Sequence, residues 1–455
     1  MKPLLRSVSR PWRIRLFYGW YIVAASAILN AYIATAFAYG FQVFFLPLLR
    51  EFGWSRTATS GAFSLRQVES GVVAPLMGFA VDRFGARSVI LAGVILAGAG
   101  MLLMSYINSL VSFYATLLII SFGMSGASHS VSWTTVVAKW FRRLRGRAIG
   151  LALMGPMVGG PLVILVALLE EALGWRGAMR VLGVGFWVIG IPTALVARSR
   201  PEDYGYLPDG DDRGINEPSK TPSSVVTGGE ANVDEASEEE GEGLSVMETL
   251  QSRVFWSVAV ILGVHGLALS GLLVHQVPYF QSLGYSLTQA ATTVAVLTAF
   301  SGIGRFAAGV LLDAFDWRWI IIGVLVGQTL AIFGMIAISD YWLELTSVAV
   351  LGLTFGASIS ARPLLVGILF GTRAFGSIQG LLTSVSIGAG VIGPVALGWT
   401  FDRYGTYEPA LAAFSILTLS VVPLAALTGR GSKRFAGPVN TRIAQTDSER
   451  SSGHV

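Results

Sequence analysis

Gly78-Phe79-Ala80-Val81-Asp82-Arg83-Phe84-Gly85-Ala86-Arg87 recurs 231 residues later as Gly309-Val310-Leu311-Leu312-Asp313-Ala314-Phe315-Asp316-Trp317-Arg318. The same offset relates Gly53-Trp54-Ser55 to Gly284-Tyr285-Ser286. A third echo, Gly155-Pro156 against Gly393-Pro394, lies at an offset of 238. Self-similarity at a fixed spacing means that two parts of a chain share one architecture. Both copies of the Gly-x-x-x-Asp element close an apolar run, so the repeated unit is a membrane bundle. Parallel-repeated bundles of this kind point to a transporter.

Composition supports this. Of 455 residues, 53% are hydrophobic and only 13% charged, with a mean hydropathy of +0.63. A soluble domain carries about a quarter charged residues. With no cysteine, disulfides, thiolate nucleophiles and cysteine-based metal sites are excluded. The net charge of +5 does not indicate nucleic acid, because the basic residues cluster beside apolar runs. The basic N-terminus (Lys2, Arg6, Arg10, Arg13, Arg15) runs into an apolar stretch with no early small-residue cleavage site, and is expected to be retained.

A helix needs about 20 apolar residues to cross a bilayer. Twelve spans are expected, over 19–45, 57–80, 88–107, 111–137, 147–169, 178–197, 254–281, 287–311, 319–338, 345–369, 376–399 and 409–428. One set of loops holds Arg83 and Arg87, the run Lys139 to Arg147, Arg318 and Arg373; the other mixes Arg50, Arg56, Arg176 and Arg403 with Glu51, Glu171, Asp340, Glu344 and Asp402. The asymmetry puts both termini in the cytoplasm of a cell (inner) membrane. The expected fold class is an all-α membrane protein with two pseudo-symmetric six-helix bundles. Its parts are a cytoplasmic N-terminus (1–18), a first bundle (19–197), an acidic linker (198–250), a second bundle (251–429) and a cytoplasmic tail (430–455). The linker includes Glu238-Glu239-Glu240, a composition that buries no core and reads as disordered.

In the first repeat, Gly78 permits close helix approach. Asp82 then stands near the membrane face, where Arg83, Arg87 and neighbouring helix ends can pair with it in one state and release it in another. Gly78, Asp82, Arg83, Gly85 and Arg87, with Gly309, Asp313 and Arg318, are the gating candidates. Gly155, Pro156 and Gly159 in span five, and Gly393 and Pro394 in span eleven, suit close helix packing and kinks.

Ionisable residues inside spans are costly in lipid and are functional candidates. Arg305 stands two turns before Asp313 on one face of span eight, and the repeat places Ala74 at its counterpart. A charge present in only one copy belongs to the solute or to a pair with Asp313. Arg66 and Glu69, three apart in span two, can meet on one helix face, so they are either an ion pair or a coupling site with a titrating Glu69. Arg362 is either an interface anchor or an anion ligand. His129, His275, Tyr39 and Asn30 are candidate cavity residues, with helix packing as the alternative for each.

Several stretches are similar to the branch of the major facilitator superfamily that holds monocarboxylate transporters and oxalate/formate antiporters. They are Tyr18-Gly19-Trp20, Gly40-Phe41 with Val43-Phe44-Phe45, Phe52-Gly53-Trp54-Ser55, and the run Arg200 to Gly210, while the Gly78–Arg87 loop resembles a signature of the superfamily as a whole. Arg305 to Gly309 resembles the family's span-eight arginine motif, which implies carboxylate binding by Arg305. The chain departs from that branch at three points. Tyr39 stands where monocarboxylate transporters place a proton-linked lysine, Ser301 where they place the acidic partner of the arginine, and Ser386 near the oxalate antiporter's span-eleven lysine. The lysine–aspartate proton relay therefore does not carry over.

The reading from sequence is a monomeric secondary transporter of a small organic anion, a monocarboxylate, with no cofactor and no metal. Two alternatives stand beside it: an exporter of drug-like or other hydrophobic solutes with the same fold, and a polytopic membrane enzyme. Against the enzyme, there is no His-Glu-x-x-His, no cysteine and no cluster of acids at a membrane face.

Overall fold

The computed structural model describes residues 17–128, 132–141, 144–199, 201, 204, 206–207, 209, 243–371 and 373–428, and within these the side chains of 74, 75, 82, 145, 146 and 313 are excepted. Among the described residues the regular secondary structure is helical apart from one isolated bridge between Gly243 and Gly371. Ten segments are long and apolar enough to cross a membrane. One of them, Arg147–Val196, runs through a reversal at Gly174 and so holds two crossings. Span two, Arg56–Phe84, is 29 residues long but falls outside the ten. It carries Arg66, Glu69 and Asp82. Dividing the former and counting the latter agrees with twelve spans among the described residues.

The division falls at Gly174, whose φ of 67° is available to glycine without strain. Contacts with span one show the reversal. Before Gly174 they ascend: Gly155 abuts Ala27 and Ala31, Gly159 abuts Ala31 and Ala34, and Val166 abuts Gly40. After it they descend. The Trp175 indole donates to Glu51 at 2.6 Å, the Tyr32 hydroxyl to the Leu182 carbonyl at 2.6 Å, and the Tyr18 hydroxyl to the Val196 carbonyl at 3.1 Å.

Span ends follow local chemistry. Ser55, Ser109, Ser252, Ser286, Asp316 and Asp340 accept first-turn backbone N–H groups, which satisfies donors that a helix leaves orphaned. Large apolar side chains such as Val111, Phe306 and Trp342 face outward, as a lipid-facing surface requires.

Three expectations change. Span four leaves regular α-helical geometry after Ala127: Ser132 and Trp133 are π-helical and lead into the α-helix Thr134–Trp140, and their side chains donate to the Gly126 and Ala127 carbonyls. Span five is interrupted into Arg145–Ala152, Gly155–Gly159 and a helix from Val163. Gly155-Pro156 and Gly160-Pro161 flank the middle piece, and proline withholds a backbone donor. The expected disordered linker has ordered ends. Arg198 lies over the rings of Tyr18 and Tyr204, Tyr206 packs on Trp140, and Val246–Gln251 is a helix with a Ser245–Glu248 capping box. His129, Arg142, Arg143, residues 210–242 and the tail beyond 428 lie outside the described residues.

Within each half the spans pack mainly on one another, and spans two and eleven, five and eight, and one and seven join the halves. All hydrogen bonds found between the halves among described residues lie at mid-membrane or toward the face opposite the linker. Gln42 accepts the Val277 N–H at 3.2 Å, Ser64 donates to the Val391 carbonyl at 2.6 Å, and Thr288 donates to Glu171 at 3.0 Å. The far-face group also includes Arg56 and Thr57 against Asp402. The bundles are therefore sealed on the far face.

Candidate functional site

Span one does not cross as a regular helix. Tyr18–Ile33 gives way to a π-helical turn, Ala34–Ala38, and a 3-10 turn, Gly40–Phe44, before Phe45–Phe52 resumes. The Tyr39 N–H reaches the Ala34 carbonyl at 2.9 Å, the wider π spacing. A Cβ at Gly40 would collide with the Thr35 carbonyl, so this compression needs glycine there. Such bulges gather at functional sites, and this one faces a cavity.

The cavity measures about 240 Å³ and lies between the halves. Span one supplies Phe37, Tyr39, Phe41 and Gln42; span two supplies Phe63, Arg66 and Gln67. The second half supplies Ser270, Leu273 and Val274 from span seven and Phe355 from span ten. Gln67 and Ser270 both donate to the Gly390 carbonyl, at 3.4 and 2.6 Å, tying the wall to span eleven. Mid-membrane sites at the interface of two repeats are where transporters of this build hold their solutes.

The structure sorts the sequence candidates. Tyr39 and Arg66 line the cavity. Arg305 is not among the lining residues, but its charge acts on the Tyr39 hydroxyl, and its Nε finds no hydrogen-bond partner among the described residues. Arg66 and Glu69 do not form the ion pair that their spacing allowed. Glu69 instead accepts from Ser121 of span four, and both its other oxygen and the Arg66 Nε are unpartnered. Arg362 also has an unpartnered Nε and acts by charge on His265, a buried histidine that sequence reading passed over. His265 Nδ1 meets the Gln328 side chain, whose amide donates back to the His265 carbonyl at 3.3 Å.

Two candidates stand away from the cavity. Asn30 is buried against Gly155, its amide donating to the Ser26 carbonyl at 2.8 Å. His275 is fully buried in the far-face seal. Its Nε2 lies 2.7 Å from Ser60 Oγ and 2.9 Å from the Pro394 carbonyl, and its Nδ1 lies 3.0 Å from the Tyr407 hydroxyl. Ser60 donates to the Arg56 carbonyl and Arg56 donates to Tyr407, so the network assigns His275 a proton on Nε2 and none on Nδ1. Burial pushes the Tyr407 phenol above its usual value, with the Arg56 charge opposing. The Arg56 guanidinium lies 3.4 Å from the Phe401 ring centroid.

Of the gating candidates, Gly85 has a φ of 78° and closes span two, while Arg83 and Arg87 are exposed beside it. Arg318 follows the Asp316 cap of span nine, with its backbone N–H donating to Asp316 at 3.0 Å. A Cβ at Gly309 would meet nothing within 4 Å. Among the packing candidates, a Cβ at Gly159 would strike the Ala31 carbonyl, and one at Gly393 the Leu267 carbonyl.

Sequence reading also missed Asp402, which it took for a loop acid. The signal was present. Gly398-Trp399-Thr400-Phe401-Asp402-Arg403-Tyr404-Gly405 repeats the spacing of Gly78 to Gly85, now at the far face. Gly405, like Gly85, ends its helix with positive φ, 73°.

A model of the Major Facilitator Superfamily matches residues 28–394. The chain belongs to the Major Facilitator Superfamily. It is a multi-pass membrane transporter of small molecules, not an enzyme. Monocarboxylate transporter 12 of Rattus norvegicus is 24% identical over 420 residues, covering 89% of this chain and 84% of that protein. Monocarboxylate transporter 4 of Gallus gallus is 25% identical, covering 86% and 78%. Monocarboxylate transporter 3 of Mus musculus is 36% identical over 171 residues, a match that spans 36% of this chain and only about a third, 34%, of that relative. Among solved structures, a bacterial homolog to the human lysosomal transporter Spinster, in an inward-facing and occupied conformation, superposes with a TM-score of 0.71. It covers 91% of this chain and 97% of its own at 15% identity, a likeness of fold.

Proposed function

We propose that this superfamily member carries a small organic anion, a monocarboxylate, by alternating access, as a monomer in the cell (inner) membrane with both termini in the cytoplasm. In that orientation the sealed far face makes the present state inward-facing. The observation that carries the reading is Arg305, whose charge acts on a wall residue of the inter-half cavity while its Nε is unpartnered. A guanidinium held without a hydrogen bond gains much from a carboxylate, which it engages through two parallel bonds. The names of the relatives supply the monocarboxylate class. Glu69, with one buried unpartnered oxygen, is the proton-coupling candidate. Glu69→Gln is expected to keep solute exchange but lose uptake driven by a pH gradient, and unchanged gradient-driven uptake would remove Glu69 from the coupling role.

Counterflow in proteoliposomes tests the function. Exchange-stimulated uptake of a small carboxylate is expected in the parent and is lost in Arg305→Gln. No exchange of any carboxylate, or undiminished exchange in Arg305→Gln, defeats the reading. The apolar lining of Phe37, Phe41, Phe63, Leu273, Val274 and Phe355 favours one rival, an exporter of hydrophobic solutes. That rival requires an uncharged aromatic solute to exchange as well as its acid.

A further inference from the structure

Arg66 is the arginine that the cavity wall contains. It reaches the cavity from span two, in the half opposite Arg305. The arrangement around it is not that of a structural cation. No described residue accepts a hydrogen bond from it, and its buried Nε has no partner. Its guanidinium stands 5.6 Å from the Phe37 ring centroid, an aromatic face rather than an anion. The carboxylate nearest in sequence, Glu69, acts on Arg66 by charge but accepts its hydrogen bond from Ser121, not from the guanidinium. A guanidinium carries five donors in a rigid fork. Leaving a buried donor unmade costs stability, so a feature of this kind persists where a ligand completes it.

The rest of the wall describes that ligand. Phe37, Phe41, Phe63 and Phe355 surround the volume, and Gln42, Gln67 and Ser270 are its neutral polar groups. Gln67 and Ser270 are already committed to the Gly390 carbonyl. The wall therefore offers one charged fork without a hydrogen-bond partner, and aromatic surface.

We propose that Arg66 is the anion-binding residue of the first half, and that a monocarboxylate with an aromatic body is held by Arg66 on one side and Arg305 on the other. This rests on the anion-transport reading above and deepens it. The anion then connects the two halves, because each arginine belongs to a different bundle. Removing either one leaves the solute bound to a single half.

Titration of the purified full chain with benzoate, using benzamide as the uncharged match, tests this. The parent is expected to bind benzoate and to bind benzamide at least tenfold more weakly. Arg66→Gln is expected to weaken benzoate at least tenfold while leaving benzamide unchanged. Arg66→Lys keeps the charge without the fork, and is expected to fall between parent and Arg66→Gln. Parent-like benzoate affinity in Arg66→Gln overturns the proposal. If Arg305→Gln loses benzoate while Arg66→Gln keeps it, the transport reading stands and only the role of Arg66 falls. If the parent binds neither benzoate nor any other small carboxylate, both fall. Should Arg66→Gln fail to fold, Arg66→Lys decides: parent-like affinity, or failure to fold as well, makes Arg66 structural.

Discussion

Asp402, at the end of span eleven, caps the helix that begins at Arg56 in the other half of the molecule. Its carboxylate accepts the Arg56 backbone N–H at 2.9 Å, the Thr57 N–H at 2.8 Å and the Thr57 hydroxyl at 2.6 Å. Ser55 already caps the same helix from within, accepting from Ala58. A carboxylate at a helix N-terminus is favoured by the orphan N–H groups and by the helix dipole. This cap crosses the boundary between the bundles, so it exists only while the far face is shut.

Asp402→Asn is therefore expected to shift the population toward a far-face-open state. Hydrogen bonds to a charged group contribute about 1.5–3 kcal/mol, so the shift should reach roughly tenfold or more. The chain has no native cysteine, which allows a single reporter. In a Ser64→Cys background, where position 64 is buried against span eleven, alkylation should speed up when Asp402→Asn is added. An unchanged labelling rate would show that the cap does not hold the face closed.

His275→Ala removes the centre of the loop formed by Arg56, Tyr407, His275 and Ser60. Leaving buried hydroxyls unpartnered costs about 1–3 kcal/mol, so a lower melting temperature is expected. Because His275 does not line the cavity, the dissociation constant of a bound carboxylate should stay within twofold of the parent. A tenfold loss of affinity with unaltered melting would instead make His275 a ligand.

Gly159→Val tests the packing of span five on span one. A side chain at 159 meets the Ala31 backbone and the Ala34 methyl, and overpacking of this kind typically costs about 1–3 kcal/mol. Thermal unfolding in detergent should show the loss. Gly309→Ala, where a Cβ meets nothing, is the matched control and is expected to melt with the parent.

Asp82 lies at the end of span two, away from the mid-membrane cavity. Asp82→Asn should slow turnover in counterflow while leaving equilibrium carboxylate binding intact. Abolished binding with a normal turnover rate would reverse its assignment from gate to ligand.

The sequence alone determined the class of the protein, the two-bundle repeat and the approximate position of the spans. These are local properties: apolar length sets a crossing, and a repeat is legible wherever its copies keep their spacing. It also drew attention to Arg305, Arg66 and Glu69, because a charge inside an apolar run stands out by itself. Tertiary structure decided what those charges meet. Arg66 faces the cavity while Glu69 turns to Ser121, although both stand on one helix and three residues apart. His275 and Tyr39 read alike in sequence, yet one sits in the seal and the other in the cavity wall. Asp402 looked like an ordinary loop acid until Arg56 and Thr57, some 345 residues earlier, were brought to it. In each case the deciding partner lies on another helix or in the other half. A hydrogen bond depends on distances of about 3 Å, and only the packing of the bundles sets distances between helices that are remote in sequence.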